Sequence, residues 1–149
     1  MKTKKISASP RFVKLSTTGR ELSAKAKKWT QVLDRETGLI WLADASPCGR
    51  VDWKAAKGAA ATTKIGKHKD WRMPTIKELL SLVDYSRTDP AIDTTFFRCE
   101  PSFHWTSTPL ASSPGDYAWL VYFYYGYADY YLQSYAAFVR PVRSARASQ

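Results

Sequence analysis

The chain has 149 residues, a length that suits one domain, and 44% of them are apolar against 24% charged. Such a composition sustains a hydrophobic core and excludes a disordered chain, a coiled coil and a collagen-like rod. The net charge of +10 is unevenly placed: residues 1–98 carry 20 Lys and Arg against 10 Asp and Glu, whereas residues 99–139 carry no Lys or Arg and three acids, Glu100, Asp116 and Asp129.

Residues 1–28 hold Lys2, Lys4, Lys5, Arg11, Lys14, Arg20, Lys25, Lys27 and Lys28 against Glu21 alone. A run of this kind reads either as a solvated, partly disordered leader or as an arm that docks on a polyanion. The start MKTKKISASPRF is basic, but no apolar stretch of roughly 7 to 15 residues follows it. The expectation is therefore no signal peptide. The chain would be cytoplasmic as synthesised, or would leave in a phage particle or by a dedicated export route.

From Trp29 the pattern WTQVLDRETGLIWLAD sets two apolar runs around the polar link 34–38, which predicts a β-hairpin with Gly38 at the return. The Ala-rich stretch DWKAAKGAAAT, 52–62, predicts a helix with Asp52 as its N-cap. In PTIKELLSLVD, Thr75 and Glu78 stand in capping-box spacing, and Ile76, Leu79, Leu80 and Val83 share one helical face. Asp89-Pro90 stops any continuation. Beyond Cys99 the chain reads as strands: one near 104–108, a loop at 111–115, a strand at 118–124, a turn at Gly126, a strand at 127–132 and a closing strand at 137–142.

Cys48 and Cys99 lack zinc spacing and read as one bridge or two reduced thiols. His68 and His104 have no Ser, Cys or carboxylate at a local spacing that would make a catalytic pair, so the chain reads as no enzyme. Asp34, Glu36, Asp44 and Asp52 form no calcium loop, and no metal or cofactor is expected. Tyr117–Val139 is too polar for a bilayer core, so no membrane insertion is expected.

The tyrosines are the most unusual feature. Tyr122, Tyr124, Tyr125, Tyr127, Tyr130, Tyr131 and Tyr135 are seven of the nine in the chain. Adjacent strand residues point to opposite faces, so about half of them or more must be exposed. Exposed Tyr with small spacers is paratope chemistry, because it gives a large amphipathic contact at low side-chain entropy cost.

The motifs TGLIW, DWRMPTIKELLSLVD at 70–84, HWTSTP at 104–109, AWLVYFYYG at 118–126 and FVRPVR at 138–143 occur in the order of the Lcl C-terminal domain family, which the chain resembles over about 29–143. The resemblance implies an α+β, C-type-lectin-like fold of two short helices on small antiparallel sheets, with a basic segment at 1–28 and a tail at 144–149. It makes Trp71, Arg72, Pro74, Trp105 and Trp119 scaffold. On the closing strand Arg140 and Arg143 alternate with Val139 and Val142, where they could pair with Asp70 or Asp84. The family is named for the C-terminal domain of a collagen-like bacterial adhesin that binds sulfated glycosaminoglycans. Collagen repeats are missing from this sequence.

Relatives are rich in Asn and Ser where this chain has Tyr, and C-type-lectin-like folds also serve as variable proteins of diversity-generating retroelements. Those systems rewrite adenines, and an Asn codon so changed yields Tyr, Asp, Ser, Ala, Phe, Leu or Gly. Every residue of 122–137 except Gln133 belongs to that set.

Three readings follow. The first is a protein or glycan ligand held by Tyr122, Tyr124, Tyr125, Tyr127, Asp129, Tyr130, Tyr131, Ser134 and Tyr135. The second is polyanion contact through 2–28 with Lys64, Lys67 and Lys69. The third is an assembly role, with the tyrosines buried between subunits of a homo-oligomer.

Overall fold

The computed structural model describes residues 10–145. In chain order they form β1 (Phe12–Leu15), β2 (Glu21–Leu22), β3 (Gln31–Asp34), β4 (Leu39–Leu42), α1 (Trp53–Ala61), α2 (Ile76–Leu80), β5 (Phe103–Pro109), β6 (Tyr117–Tyr122), β7 (Tyr127–Leu132) and β8 (Val142–Ser144). Two antiparallel sheets result, ordered β2-β1-β3-β4-β8 and β5-β6-β7, and with the two helices they make an α+β protein.

The hairpin and both helix starts follow their sequence signals. Gly38 closes the β3–β4 return at φ 73°, a backbone region that favours glycine. The Asp52 carboxylate accepts from the Ala55 N–H, and the Thr75–Glu78 capping box is complete. α2 stops at Leu80, although the apolar period runs on to Val83. The Leu82 and Val83 amides instead bond the Leu79 and Leu80 carbonyls in a tighter turn.

Residues 10–28 correct the reading of the basic segment as a solvated leader. β1 pairs with β3 from Phe12↔Asp34 to Leu15↔Gln31, and Val13 and Leu15 are buried. Two of the basic residues act as internal fasteners. Arg11 donates to the buried Asp34 carboxylate at 3.0 and 2.9 Å. Buried Lys14 donates to the Ala24 and Ala26 carbonyls at 2.6 and 2.8 Å, with its Nζ 3.8 Å from the Trp29 ring centroid. Lys2, Lys4 and Lys5 lie outside the described residues.

One core lies between the sheets and joins Val32, Trp41, Leu79, Ile92, Val121 and Phe123. A second packs α1, through the small residues Ala56 and Ala60, against Trp105, Leu120 and Val139. Leu120 and Val121 belong to different cores, so the middle of the three-stranded sheet is covered on both faces. No helix among the described residues is long and apolar enough to cross a membrane.

Several scaffold expectations need amendment. Trp71, Pro74 and Trp105 are buried, but Arg72 is exposed and pairs with Glu78 at 2.7 Å, and Trp119 is half-buried. The stretch 137–141 makes only single bridges, Ala137 to Val51 and Phe138 to His104, before β8 begins. Arg140 reaches neither Asp70 nor Asp84. Its guanidinium is fully buried and donates to the carbonyls of Leu42, Ala43 and Arg98 at 2.8, 3.0 and 2.9 Å. Asp84 is taken by Ser86 and Arg87. Arg143 lies 5.5 Å over the Trp71 ring, and Asp70 acts on it as a nearby charge.

A tyrosine surface on the β6–β7 hairpin

β6 and β7 pair without interruption from Tyr117↔Leu132 to Tyr122↔Tyr127. This register sorts the aromatic side chains by face. Tyr122, Tyr127, Asp129 and Tyr131 share one face, while Tyr117, Trp119 and Tyr130 share the other. None of the seven tyrosines between 122 and 135 is buried, and Tyr125 at 61%, Tyr127 at 46% and Tyr130 at 44% are the most open.

On the first face the rings form one network. Tyr122 lies 6.0 Å from Tyr124, 6.0 Å from Tyr125 and 5.4 Å from Tyr127, and stacks on Phe103 at 4.3 Å. Phe103 also meets Tyr131 at 4.9 Å and Tyr135 at 5.9 Å, and those two meet each other at 4.6 Å. On the second face Tyr130 sits edge-on to Tyr117 at 5.9 Å and to Trp119 at 5.4 Å. Most pairs in the network are edge-to-face, an arrangement that ring quadrupoles favour.

Of the nine residues expected to make contact, the structure brings Tyr122, Tyr124, Tyr125, Tyr127, Tyr131 and Tyr135 into the first network and sets Tyr130 apart on the opposite face. Asp129 shares the first face, and Ser134 lines an open hollow of about 530 Å³ with Tyr117, Tyr130, Tyr131, Leu132 and Tyr135. Sequence reasoning missed Phe103, Tyr117, Trp119 and Leu132. Phe103 and Tyr117 lie outside the dense tyrosine run, and only the strand register brings them to it. The alternation within 117–122 would have flagged Trp119 as a partner of Tyr130.

The turn at 123–126 is held from below. The Tyr124 carbonyl accepts from the Asp89 N–H and the Thr88 hydroxyl, both at 2.8 Å, and the Ala91 N–H donates to the Phe123 carbonyl at 2.7 Å. The Asp89 charge, with help from Tyr125, raises the Tyr124 phenol; desolvation, with help from Asp129, raises that of Tyr131. Both hydroxyls therefore stay protonated and remain donors.

A profile of the Lcl C-terminal domain matches residues 30–143, most of the chain and all of the hairpin just described. The chain belongs to the Lcl C-terminal domain family. Comparison with curated proteins gives no match.

In this Lcl C-terminal domain the fold does bring a cysteine to a histidine, a pair the sequence spacing did not suggest. Cys99 Sγ lies 3.9 Å from His104 Nε2, while Nδ1–H donates to the Ser102 carbonyl at 3.1 Å. Burial, with the Arg140 charge beside it, pushes His104 down to about 3, and burial pushes the Cys99 thiol up. A neutral imidazole facing a protonated thiol is not an activated nucleophile. Both cysteines are free, and no group of three or more His, Cys, Asp or Glu among the described residues is arranged to hold a metal ion.

Three basic residues of this Lcl C-terminal domain share one cleft. Lys27, Lys28 and Arg98 line a cleft of about 350 Å³ with Trp29, Asp44 and Ile65. Lys64, Lys67 and Lys69 are exposed on the segment that contributes Ile65.

Proposed function

We propose that the protein is a non-enzymatic ligand-binding module on a C-type-lectin-like scaffold. Its contact surface is the β6–β7 hairpin, and it serves as the variable protein of a diversity-generating retroelement. The observation that carries the reading is the open aromatic surface: seven tyrosines in 14 positions, none of them buried, six in one ring network and Tyr130 on the opposite face, on a hairpin whose centre is fixed by two cores. An aromatic patch left this open is normally an interaction site. Against catalysis stands the Cys99–His104 pair, neutral on both sides.

Burial within 122–137 separates the positions that the fold needs from those that it leaves open to variation. Gln133, the one residue of 122–137 outside the adenine-derived set, pins the end of the hairpin. Its side chain donates to the Pro114 and Tyr117 carbonyls at 3.0 and 3.1 Å, and its N–H to Asp116 at 2.8 Å. Phe123, Gly126 and Ala137 are buried, so variation there would cost the fold. The proposed contacts are Tyr122, Tyr124, Tyr125, Tyr127, Asp129, Tyr130, Tyr131, Ser134 and Tyr135, each at least partly open.

Sequencing the DNA that flanks the gene tests this. A near-copy of the 3′ coding segment is expected, differing at adenines, with the altered codons at those nine positions and codons 123, 126 and 133 unchanged. No near-copy, or changes spread evenly over buried and open codons, sinks the diversified reading. The second reading, a polyanion on the basic face, draws on Lys27, Lys28 and Arg98 sharing one cleft. It predicts retention on heparin that collapses with salt and with Lys27→Ala/Lys28→Ala.

A further inference from the structure

We propose that the ligand of the tyrosine surface is a protein segment that adds to the β7 edge as an extended strand and lays Lys or Arg side chains on the tyrosine rings. The inference rests on the hairpin being the binding surface.

β7 is the last strand of its sheet. The Gln133 N–H to Asp116 C=O bond continues the β6–β7 ladder and fixes its phase. Tyr127, Asp129 and Tyr131 therefore turn their backbone groups to β6, and Ala128, Tyr130 and Leu132 turn theirs outward. The Tyr130 N–H is taken by Asp129 Oδ1 at 2.7 Å, and the Leu132 carbonyl by the Tyr135 N–H at 2.8 Å. Both groups of Ala128 and the Tyr130 carbonyl have no partner among the described residues. The strand reads YADYYL with an unbroken register, so it has no Lys, Pro or bulge of the kind that keeps edges from pairing.

The flanks of this edge suit an added strand. The 530 Å³ hollow is lined by Tyr117, Tyr130 and Leu132 from one face and by Tyr131, Ser134 and Tyr135 from beyond the other, so it straddles the edge. Side chains of a strand alternate between faces, so successive residues of an incoming segment meet the Tyr130 group and the Tyr131 group in turn.

Local charge selects the occupant. The molecule carries +10, yet residues 99–139 hold no Lys or Arg and three acids, Asp129 lies on β7, and Asp89 acts on Tyr124. Tyrosine ring faces are negative and attract ammonium and guanidinium groups. Anionic ligands find their charge partners at the Lys27–Lys28 cleft instead.

The test selects short peptides from a random display library against the immobilised full chain. Binders are then measured against Ala128→Pro, which removes an outward N–H and no ladder bond, and against Tyr130→Ser/Tyr135→Ser. Copies of each binder with N-methylated backbone at alternate residues repeat the test without altering the protein. Enrichment of Lys and Arg is expected, with at least tenfold weaker binding to both variants. N-methylation should abolish binding on one residue parity only. Binders that need the tyrosines but ignore Ala128→Pro and tolerate both N-methyl series overturn strand addition and leave the tyrosine surface standing. Enrichment of Asp and Glu overturns the cationic occupant. Binders indifferent to every variant, or no binder at all, overturn the proposal together with the reading beneath it.

Discussion

The Phe103 and Tyr122 rings stack across β5 and β6 with centroids 4.3 Å apart and 15° between their planes. Phe103 thereby fixes the ring on which Tyr124, Tyr125 and Tyr127 rest. Tyr122 is thus the floor of the network and Tyr125 its outermost ring. Tyr122→Ala is expected to lower unfolding free energy by about 1–2 kcal/mol, from the lost aromatic pair and burial. Tyr125→Ala should cost less than about 0.5 kcal/mol, as for an open surface site. Urea denaturation separates them; equal losses would remove the distinction between floor and contact.

Gly126 is the tightest point beneath the same network. It holds φ 91°, and a Cβ there would meet Val83 Cγ1 at 2.6 Å and Ala91 Cβ at 3.1 Å. Gly126→Ala combines left-handed strain of about 1–2 kcal/mol with overpacking of about 1–3 kcal/mol. A loss of about 2–5 kcal/mol in denaturant unfolding is expected. A loss under about 0.5 kcal/mol would mean that the turn is not seated on Val83 and Ala91.

Local signals were legible because local physics decides them. The Thr75–Glu78 capping box, the Asp52 cap and the Gly38 return are each settled within a few residues. The openness of the tyrosines was legible too, since strand alternation forbids one face from holding them all. What the sequence hid was decided by partners far along the chain. β1 reads as a charged leader because Arg11 precedes it and Lys14 lies within it; in the fold Arg11 meets Asp34 of β3 and Lys14 meets the carbonyls of 24 and 26. Arg140 invites a carboxylate partner, but its two terminal nitrogens donate instead to the carbonyls of 42, 43 and 98, and its Nε has no hydrogen-bond partner among the described residues. Cys99 and His104, five residues apart, meet because a loop and the start of β5 fold back on each other.

Arg11 tests whether the N-terminal strands belong to the domain. Its guanidinium meets an Asp34 side chain with no exposure and also donates to the Ser81 carbonyl at 2.9 Å. Arg11→Met leaves that buried carboxylate with the Glu36 N–H at 3.0 Å and no paired cation. A loss near 3 kcal/mol is expected, at the low end of the roughly 3–5 kcal/mol for breaking a buried pair. Thermal unfolding at neutral pH checks it. An unchanged midpoint would mean that β1 contributes nothing to the cooperative unit.

His104 sets how the fold responds to acid. Its imidazole is fully buried, desolvation and the Arg140 charge hold it down at about 3, and an unfolded histidine titrates near about 6.5. Between those values the unfolded chain binds a proton that the folded chain refuses, so stability falls as pH drops below about 6.5 and is flat above it. The slope for one proton is about 1.4 kcal/mol per pH unit, which gives about 2 kcal/mol between pH 6.5 and 5. Carboxylates contribute little in that window, because their unfolded values lie near about 4. His104→Gln should be less stable at pH 7 yet lose most of the dependence between pH 6.5 and 5. Urea titrations at a series of pH values give both numbers. An equal slope in the parent and the variant would place the acid sensitivity elsewhere.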